Sequence, residues 1–367
     1  MLIVDDSVVV RRLLTDVIAA EPTCEVVGVA ANGRIALARI PQLNPDLITL
    51  DVEMPEMDGL ETLAAIRKIY PRLPVIMFSG LTLRAADATV KALALGATDY
   101  VTKPTAASGV SAADQVREQL IPKIRWLQGK RQTGSAPRPP AASLRATSTS
   151  GGVAASPVRR PVRVDVVAIG CSTGGPNALV ALLPKLAEAF PVPIVITQHM
   201  PPLFTRLLAE RMDASSPLQV HEARGGERLE RGHVYFAPGD YHLAVRREGL
   251  EARLGLTQAP PENSCRPAVD VMFRSVVSVY GAGTLGVVLT GMGQDGLRGC
   301  ELIREAGGQV IIQDEATSVV WGMPGAVARA GLADAVLPLD EIAGEITRRV
   351  GPVARVAGLA PGHPAPA

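Results

Sequence analysis

Val164-Asp165-Val166-Val167-Ala168-Ile169 runs straight into Gly170-Cys171-Ser172-Thr173-Gly174-Gly175-Pro176. The β-branched run predicts a strand, the three glycines a sharp turn with close backbone approach, and Pro176 the first turn of a helix, where a missing N–H costs nothing. Strand, turn and helix in this order begin an open parallel α/β sheet and leave Ser172 at the carboxyl end of its strand. Ligands of such sheets bind at that edge, and the helix that follows offers N–H donors to a developing oxyanion. Alone, the stretch reads equally well as a glycine-rich αβ turn or a phosphate loop with an incidental serine.

Alternation continues downstream. Val192–Thr197 predicts a strand that ends in Gln198-His199-Met200-Pro201, and Gly283–Thr290 another that runs into Gly291-Met292-Gly293-Gln294-Asp295-Gly296. Between them, Leu218–Leu254 carries turn signals at Gly225-Gly226, Pro238-Gly239 and Glu248-Gly249, which predict short antiparallel strands or hairpins. Gly308–Gln313 and a helix through Gly331 follow. Ser172, His199 and Asp295 thus each lie just past a predicted parallel strand. Acyl transfer needs that trio: an imidazole takes the serine proton, and a buried carboxylate fixes the imidazole tautomer. Singly, a turn serine, a strand-end histidine and a helix-capping aspartate explain them as well; jointly, three coincidences are required. His233 and His242 read as structural, and His221 shows no sign of a role.

Upstream, residues 1–128 alternate apolar runs with amphipathic helical patterns, predicting a second parallel sheet with helices on both faces. Its strands are expected at Leu2–Val4, Cys24–Ala30, Asp46–Leu50, Val75–Phe78 and Asp99–Val101. Asp5 and Asp6, Asp51, Ser79 and Lys103-Pro104 follow these runs and share one edge. Three crowded carboxylates repel unless a cation is present, and Mg²⁺ with oxygen ligands is the usual answer. Residues 129–163 hold seven Lys or Arg, no acidic residue and much Pro, Ala, Ser and Gly, the composition of a flexible tether. Residues 351–367 read as a disordered tail.

Lys+Arg 37 against Asp+Glu 36, with 3% aromatic residues, gives no footprint for phosphate-driven or base-stacking nucleic-acid binding. No apolar run reaches membrane-spanning length and no signal-peptide pattern opens the chain, so a cytoplasmic protein without membrane insertion is expected. Cys24, Cys171, Cys265 and Cys300 lack metal-ligand or disulfide spacing. All four read as structural, with Cys171 the one expected to meet thiol reagents.

Two resemblances extend this reading. Val4-Asp5-Asp6-Ser7, Asp51 through Gly59, Ser79 and Lys103-Pro104 resemble the receiver domain of two-component response regulators, over residues 1–128. The resemblance implies a flavodoxin-like fold in which Asp51 accepts a phosphoryl group from a CheA-type histidine kinase. It implies Mg²⁺ held by Asp6, Asp51 and the Glu53 carbonyl, with Asp5 acting through water, phosphoryl contacts from Ser79 and Lys103, and Tyr100 as the aromatic that reorients on activation. Receivers have more residues ahead of the first acidic pair, so the natural start is expected upstream of Met1.

Residues 164–350 are similar to the catalytic domain of the CheB family of chemotaxis methylesterases. The similarity rests on Gly170–Pro176, Gln198-His199-Met200, Tyr235–His242, Arg266–Asp270, Leu289–Gly296 and Trp321–Gly325. It implies Ser172 as nucleophile, His199 as general base, Asp295 as its orienting acid, the Met292 N–H with Thr173 as oxyanion donors, and Arg266 as a residue that positions an acidic substrate segment or simply pairs at the surface. No metal is implied there. The expected class is α/β: a flavodoxin-like receiver, then a doubly wound parallel-sheet methylesterase domain with a small antiparallel hairpin region. The expected partners are methyl-accepting chemoreceptors, as substrate, and the kinase, with the chain a monomer and its receiver covering the Ser172 edge until phosphorylated. An α/β-hydrolase esterase is disfavoured by chain order, which in that fold runs Ser, acid, His. A phosphorylation-switched scaffold or transcription factor is the reading from another class, although the second half shows no basic helix-turn-helix or zinc pattern.

Overall fold

The computed structural model describes residues 1–105, 110–133 and 163–351. The first half alternates β1 (Leu2–Val4), α1 (Val8–Ala19), β2 (Gly28–Ala30), α2 (Gly33–Leu43), β3 (Ile48–Asp51), α3 (Gly59–Ile69), β4 (Val75–Ser79), α4 (Leu83–Ala94), β5 (Asp99–Thr102) and α5 (Ala112–Thr133). All five strands are parallel, in the order β2-β1-β3-β4-β5, which is the flavodoxin-like winding. Leu2, Leu50 and Met77 pack to one side and Ile3, Ile76 and Phe78 to the other. Burial on both faces is why these strands read as unbroken apolar runs.

β2 is shorter than its composition suggests. Val27 N–H still reaches Met1 O (2.9 Å), but Cys24 N–H turns back to Glu21 O (3.0 Å), so the residues from Cys24 close α1 and do not extend the ladder. α5 runs on through Gly129 to Thr133, past the expected start of the tether; residues 134–162 of that tether, and the tail from residue 352, lie outside the described residues.

The second half forms β6 (Val166–Cys171), α6 (Gly175–Leu182), β7 (Ile194–Gln198), α7 (Pro202–Ser215), β8 (Gln219–Glu222), β9 (His233–Phe236), β10 (His242–Glu248), β11 (Glu251–Thr257), α8 (Val269–Tyr280), β12 (Thr284–Val288), α9 (Leu297–Glu305), β13 (Gln309–Gln313), α10 (Met323–Arg329), β14 (Ala335–Leu337) and α11 (Leu339–Val350). Seven parallel strands lie in the order β14-β13-β12-β6-β7-β9-β8. The turn-rich stretch divides differently from the sequence expectation. β8 and β9 join the parallel sheet as its edge, because the intervening loop carries the chain back before β9 begins; only β10 and β11 make an antiparallel hairpin. That loop pairs with β11 through the Arg228–Arg253 bridge, which is where its antiparallel character lies.

The chain leaves β6 for β7 on one side and later returns to β12 on the other. The strand order therefore reverses beside β6, and crevices at such reversals are where ligands bind. The first half leans on this half through α4, against α6 and α7. The Tyr100 ring stacks on Phe204 with centroids 4.9 Å apart, and Asn177 Nδ2 donates to Ala97 O at 2.8 Å. Among the described residues, no helix is long and apolar enough to cross a membrane.

Candidate active site

Cys171 and Gln198 are register partners on β6 and β7, so Ser172 and His199 occupy equivalent positions just past adjacent strand ends. His199 N–H donates to Cys171 O (3.2 Å), and Gln198 Nε2 donates to Ser172 O (2.9 Å) and His199 O (3.3 Å), tying the two backbones together. Gly174 takes a left-handed conformation (φ 77°) that a side chain would strain, and a Cβ there would lie 2.5 Å from Val319 Cβ. Pro176 enters the first turn of α6 as expected.

His199 Nε2 lies 2.8 Å from Asp295 Oδ2. Asp295 is 2% exposed and is held by more than the imidazole: Val269 N–H donates to Oδ2 (2.6 Å), while Asp270 N–H and Gly296 N–H each donate to Oδ1 at 3.0 Å. Val269 and Asp270 open α8, so the carboxylate caps that helix and is favoured by its positive end. The reading of Asp295 as a cap for the helix that follows it is corrected: α9 starts after Gly296 without a side-chain cap, and the carboxylate caps α8 instead. Burial pushes the Asp295 carboxyl up, but the His199 bond and charge, then the α8 amides, bring it below the ordinary range. Burial likewise opposes a charged imidazole, yet the bonds to Asp295 and Cys265 outweigh it and raise His199 to about 9.

With Nε2 committed to Asp295, Nδ1 is the nitrogen left to act as a base. Cys265 Sγ sits 3.5 Å from it, and no hydrogen bond joins Ser172 Oγ to His199 among the described residues. A base must be neutral to accept a proton, so kcat/KM is expected to climb through neutral pH and level off near pH 9, with Asp295→Asn moving the limb to lower pH. A rate profile measured from about pH 6 to 10 checks this; a profile flat above about pH 7 would contradict it.

Thr290 O accepts from Ser172 N–H (3.0 Å), and Gly291 approaches so closely that a Cβ would lie 3.0 Å from Ser172 Cβ. Met292 thereby comes beside the serine. Gly322 packs under the same loop, where a Cβ would meet Gly291 O at 2.8 Å. Among the described residues, neither Thr173 N–H nor Met292 N–H has an acceptor, which suits both to an oxyanion. Arg266 is engaged within the protein: it donates to Asp240 Oδ1 (3.0 and 2.5 Å) and to Gln258 O and Ala259 O (both 3.1 Å). His242 is structural, accepting from Ala268 N–H and donating to Pro260 O (both 3.1 Å). The expectation for Cys171 is corrected. It is fully buried, which pushes its thiol far up, and Cys265 is the cysteine at the site.

In the first half, Asp5, Asp6 and Asp51 bring carboxylate oxygens within 4.8 Å of one another. Lys103 Nζ lies 3.4 Å from Asp5 Oδ2 and 2.8 Å from Asp51 Oδ2; apart from that cation, neither buried oxygen has a hydrogen-bond partner. Burial pushes Asp51 up to about 6, with the Asp5 charge adding and Lys103 opposing. Buried, donor-poor oxygens suit a hard divalent cation. Ser79 Oγ lies 2.6 Å from Thr89 Oγ1, Tyr100 is buried against Phe204, and the Glu53 carboxylate points to Arg84 (3.5 Å).

Comparison with known proteins follows the same division. Residues 167–346 match the model of the CheB methylesterase family, and residues 1–113 that of the response regulator receiver domain. The chain is 55% identical to the protein-glutamate methylesterase/protein-glutamine glutaminase of Trichodesmium erythraeum (strain IMS101), over 96% of this chain and 99% of that one. It is 53% identical to the protein of the same name from Nocardioides sp. (strain ATCC BAA-499 / JS614), over 95% of each. A crystal structure of the Thermotoga maritima CheB methylesterase catalytic domain is similar at 44% identity and a TM-score of 0.49, covering 50% of this chain and 98% of that one. With a full-length relative more than half identical and both domains matched in order, the chain belongs to the CheB methylesterase family in its form with an N-terminal response regulator receiver domain.

Proposed function

We propose that this chain hydrolyses γ-glutamyl methyl esters on the cytoplasmic helices of chemoreceptors, releasing methanol, and deamidates receptor glutamines at the same site. The observation that carries this reading is the His199–Asp295 bond, set one strand away from Ser172. Ser172 Oγ attacks the ester carbonyl while His199 Nδ1 takes its proton. The oxyanion is met by the N–H groups of Thr173 and Met292, which need no reorganisation as charge develops. His199 returns the proton to departing methanol, and water hydrolyses the acyl-enzyme by the same path reversed. With an amide, ammonia leaves instead.

Control comes from the receiver, which carries an acidic Mg²⁺-binding cluster. Asp5, Asp6 and Asp51, with the Glu53 carbonyl, would hold the ion, which when bound supplies charge neutralisation on the phosphoryl oxygens. Asp51 takes the phosphoryl group from a CheA-type histidine kinase, and Lys103 neutralises charge on the transfer. Before phosphorylation, the face that carries Tyr100 and Lys123 stands opposite His199 and Cys265 across a cleft of about 470 Å³. The new charge on Asp51 weakens that docking through the Tyr100–Phe204 stack.

The tether keeps the two halves at high effective concentration, so even weak docking inhibits. A chain lacking residues 1–133 is expected to release methanol from methylated receptor faster than the unphosphorylated full chain, on the order of tenfold. Equal or lower activity would argue against an inhibitory receiver.

A further inference from the structure

Behind Asp295 lies a second buried carboxylate to which neither motif nor mechanism gives a role. Asp270 is 1% exposed. Its Oδ1 accepts from Gly299 N–H at 2.7 Å, and its Oδ2 accepts from Asn263 Nδ2 at 2.9 Å. The same Asn263 nitrogen donates to Asp295 Oδ1 at 2.9 Å. Asn263 stands in the left-handed region (φ 53°), as does Ser264 beside it (φ 61°), a conformation non-glycine residues hold only when their surroundings demand it.

Hydrogen-bond logic fixes the direction of this chain. Burial, with the Asp295 charge adding, raises Asp270 to about 6; above that pH both carboxylates are ionised and only accept, so an amide between them must present its NH₂ to both. We infer that Asp270, acting through Asn263, is a positioning residue for the Asp295–His199 pair: it holds the Asn263 amide with its donors toward Asp295. This rests on the triad reading above.

Other charged and titratable groups face the pair without replacing that donor. His199 uses the other oxygen of Asp295. Arg274 on α8 is taken up by Glu262 (2.6 and 2.7 Å), and Arg298 on α9 by Glu301. His242 on β10, Cys265 on the loop and Cys300 on α9 make no hydrogen bond to either carboxylate. Asn263 is the only side chain among the described residues that bonds both.

Asp270→Asn tests the inference with little change of shape. The new amide keeps its oxygen toward Gly299 N–H only by turning NH₂ toward the NH₂ of Asn263. Asn263 must then flip and set its own oxygen against Asp295, or lose its place. For methanol release by the full chain, kcat is expected to fall on the order of tenfold with KM within about twofold. The acid limb of the kcat profile moves to lower pH, because the imidazolium loses negative charge nearby. Should Asp270→Asn fail to fold, Asn263→Asp serves alone. A carboxyl there donates only when protonated, so its kcat relative to the unsubstituted chain should rise as pH falls. A loss of kcat with an unmoved limb, a change in KM alone, or an Asn263→Asp ratio that is flat with pH overturns the inference. Ser172→Ala, assayed alongside, separates the two readings: activity in that variant sinks the triad itself, whereas a dead Ser172→Ala beside unaffected Asp270→Asn and Asn263→Asp variants sinks only this inference.

Discussion

Ser172→Ala is expected to cut methanol release from a methylated receptor fragment on the order of 10⁴-fold or more. The magnitude follows from what remains. Alanine leaves the Thr173 and Met292 N–H groups, the His199–Asp295 pair and the α8 clamp on Asp295 in place, so the fold and receptor binding should survive while covalent catalysis does not. The residual rate reflects only water activated by His199 against a preformed oxyanion site. Phosphorylation of Asp51 should be unaffected, since the receiver chemistry shares no side chain with this site. A loss of less than about tenfold would place the chemistry elsewhere. The first alternative would be Cys265, the other nucleophile within reach of His199.

Asp51→Asn is expected to abolish stimulation by a phosphodonor while leaving basal esterase activity. A phosphoryl group replaces the single charge of the Asp51 carboxylate with about two on the phosphoryl oxygens, a net gain of about one negative charge placed farther out from the end of β3. An amide cannot accept it as a stable acyl phosphate, and it also removes the main ion-pair partner of Lys103. The path to the other half is short: β3 pairs with β4, β4 with β5, and Tyr100 on β5 stacks on Phe204. Phe204 lies in the first turns of α7, which begins just after His199-Met200-Pro201. Stimulation that persists in Asp51→Asn would mean that the phosphodonor acts at another residue, or that activation bypasses the receiver.

The strand ends were the most legible feature, because a buried parallel strand is a continuous apolar run and its first polar residue marks the sheet edge. That suffices to put Ser172 beside His199, and Asp5, Asp51, Ser79 and Lys103 along one rim. The grip on Asp295 is not legible in the same way. Its donors come from Val269 and Asp270, which open a helix whose N-cap is Ala268, without the Ser, Thr, Asp or Asn that would announce a start. The loop that brings Asn263 to Asp295 and Cys265 to His199 has no periodicity, and only its left-handed residues hint at constraint. Strand direction across Gly225-Gly226 misleads because glycine turns signal reversal without saying whether the chain pairs at once or crosses over. Cys171 looks reactive by its place beside Ser172, but alternation in β6 points it into the core.

The most direct measurement is the rate of methanol release from a methyl-esterified receptor cytoplasmic fragment by the full chain, with Mg²⁺, before and after a small phosphodonor is added. A serine esterase gated by Asp51 predicts slow release that accelerates on addition, with Asp51→Asn remaining slow and Ser172→Ala silent throughout. Release that is unchanged by the phosphodonor, or that proceeds in Ser172→Ala, would contradict it.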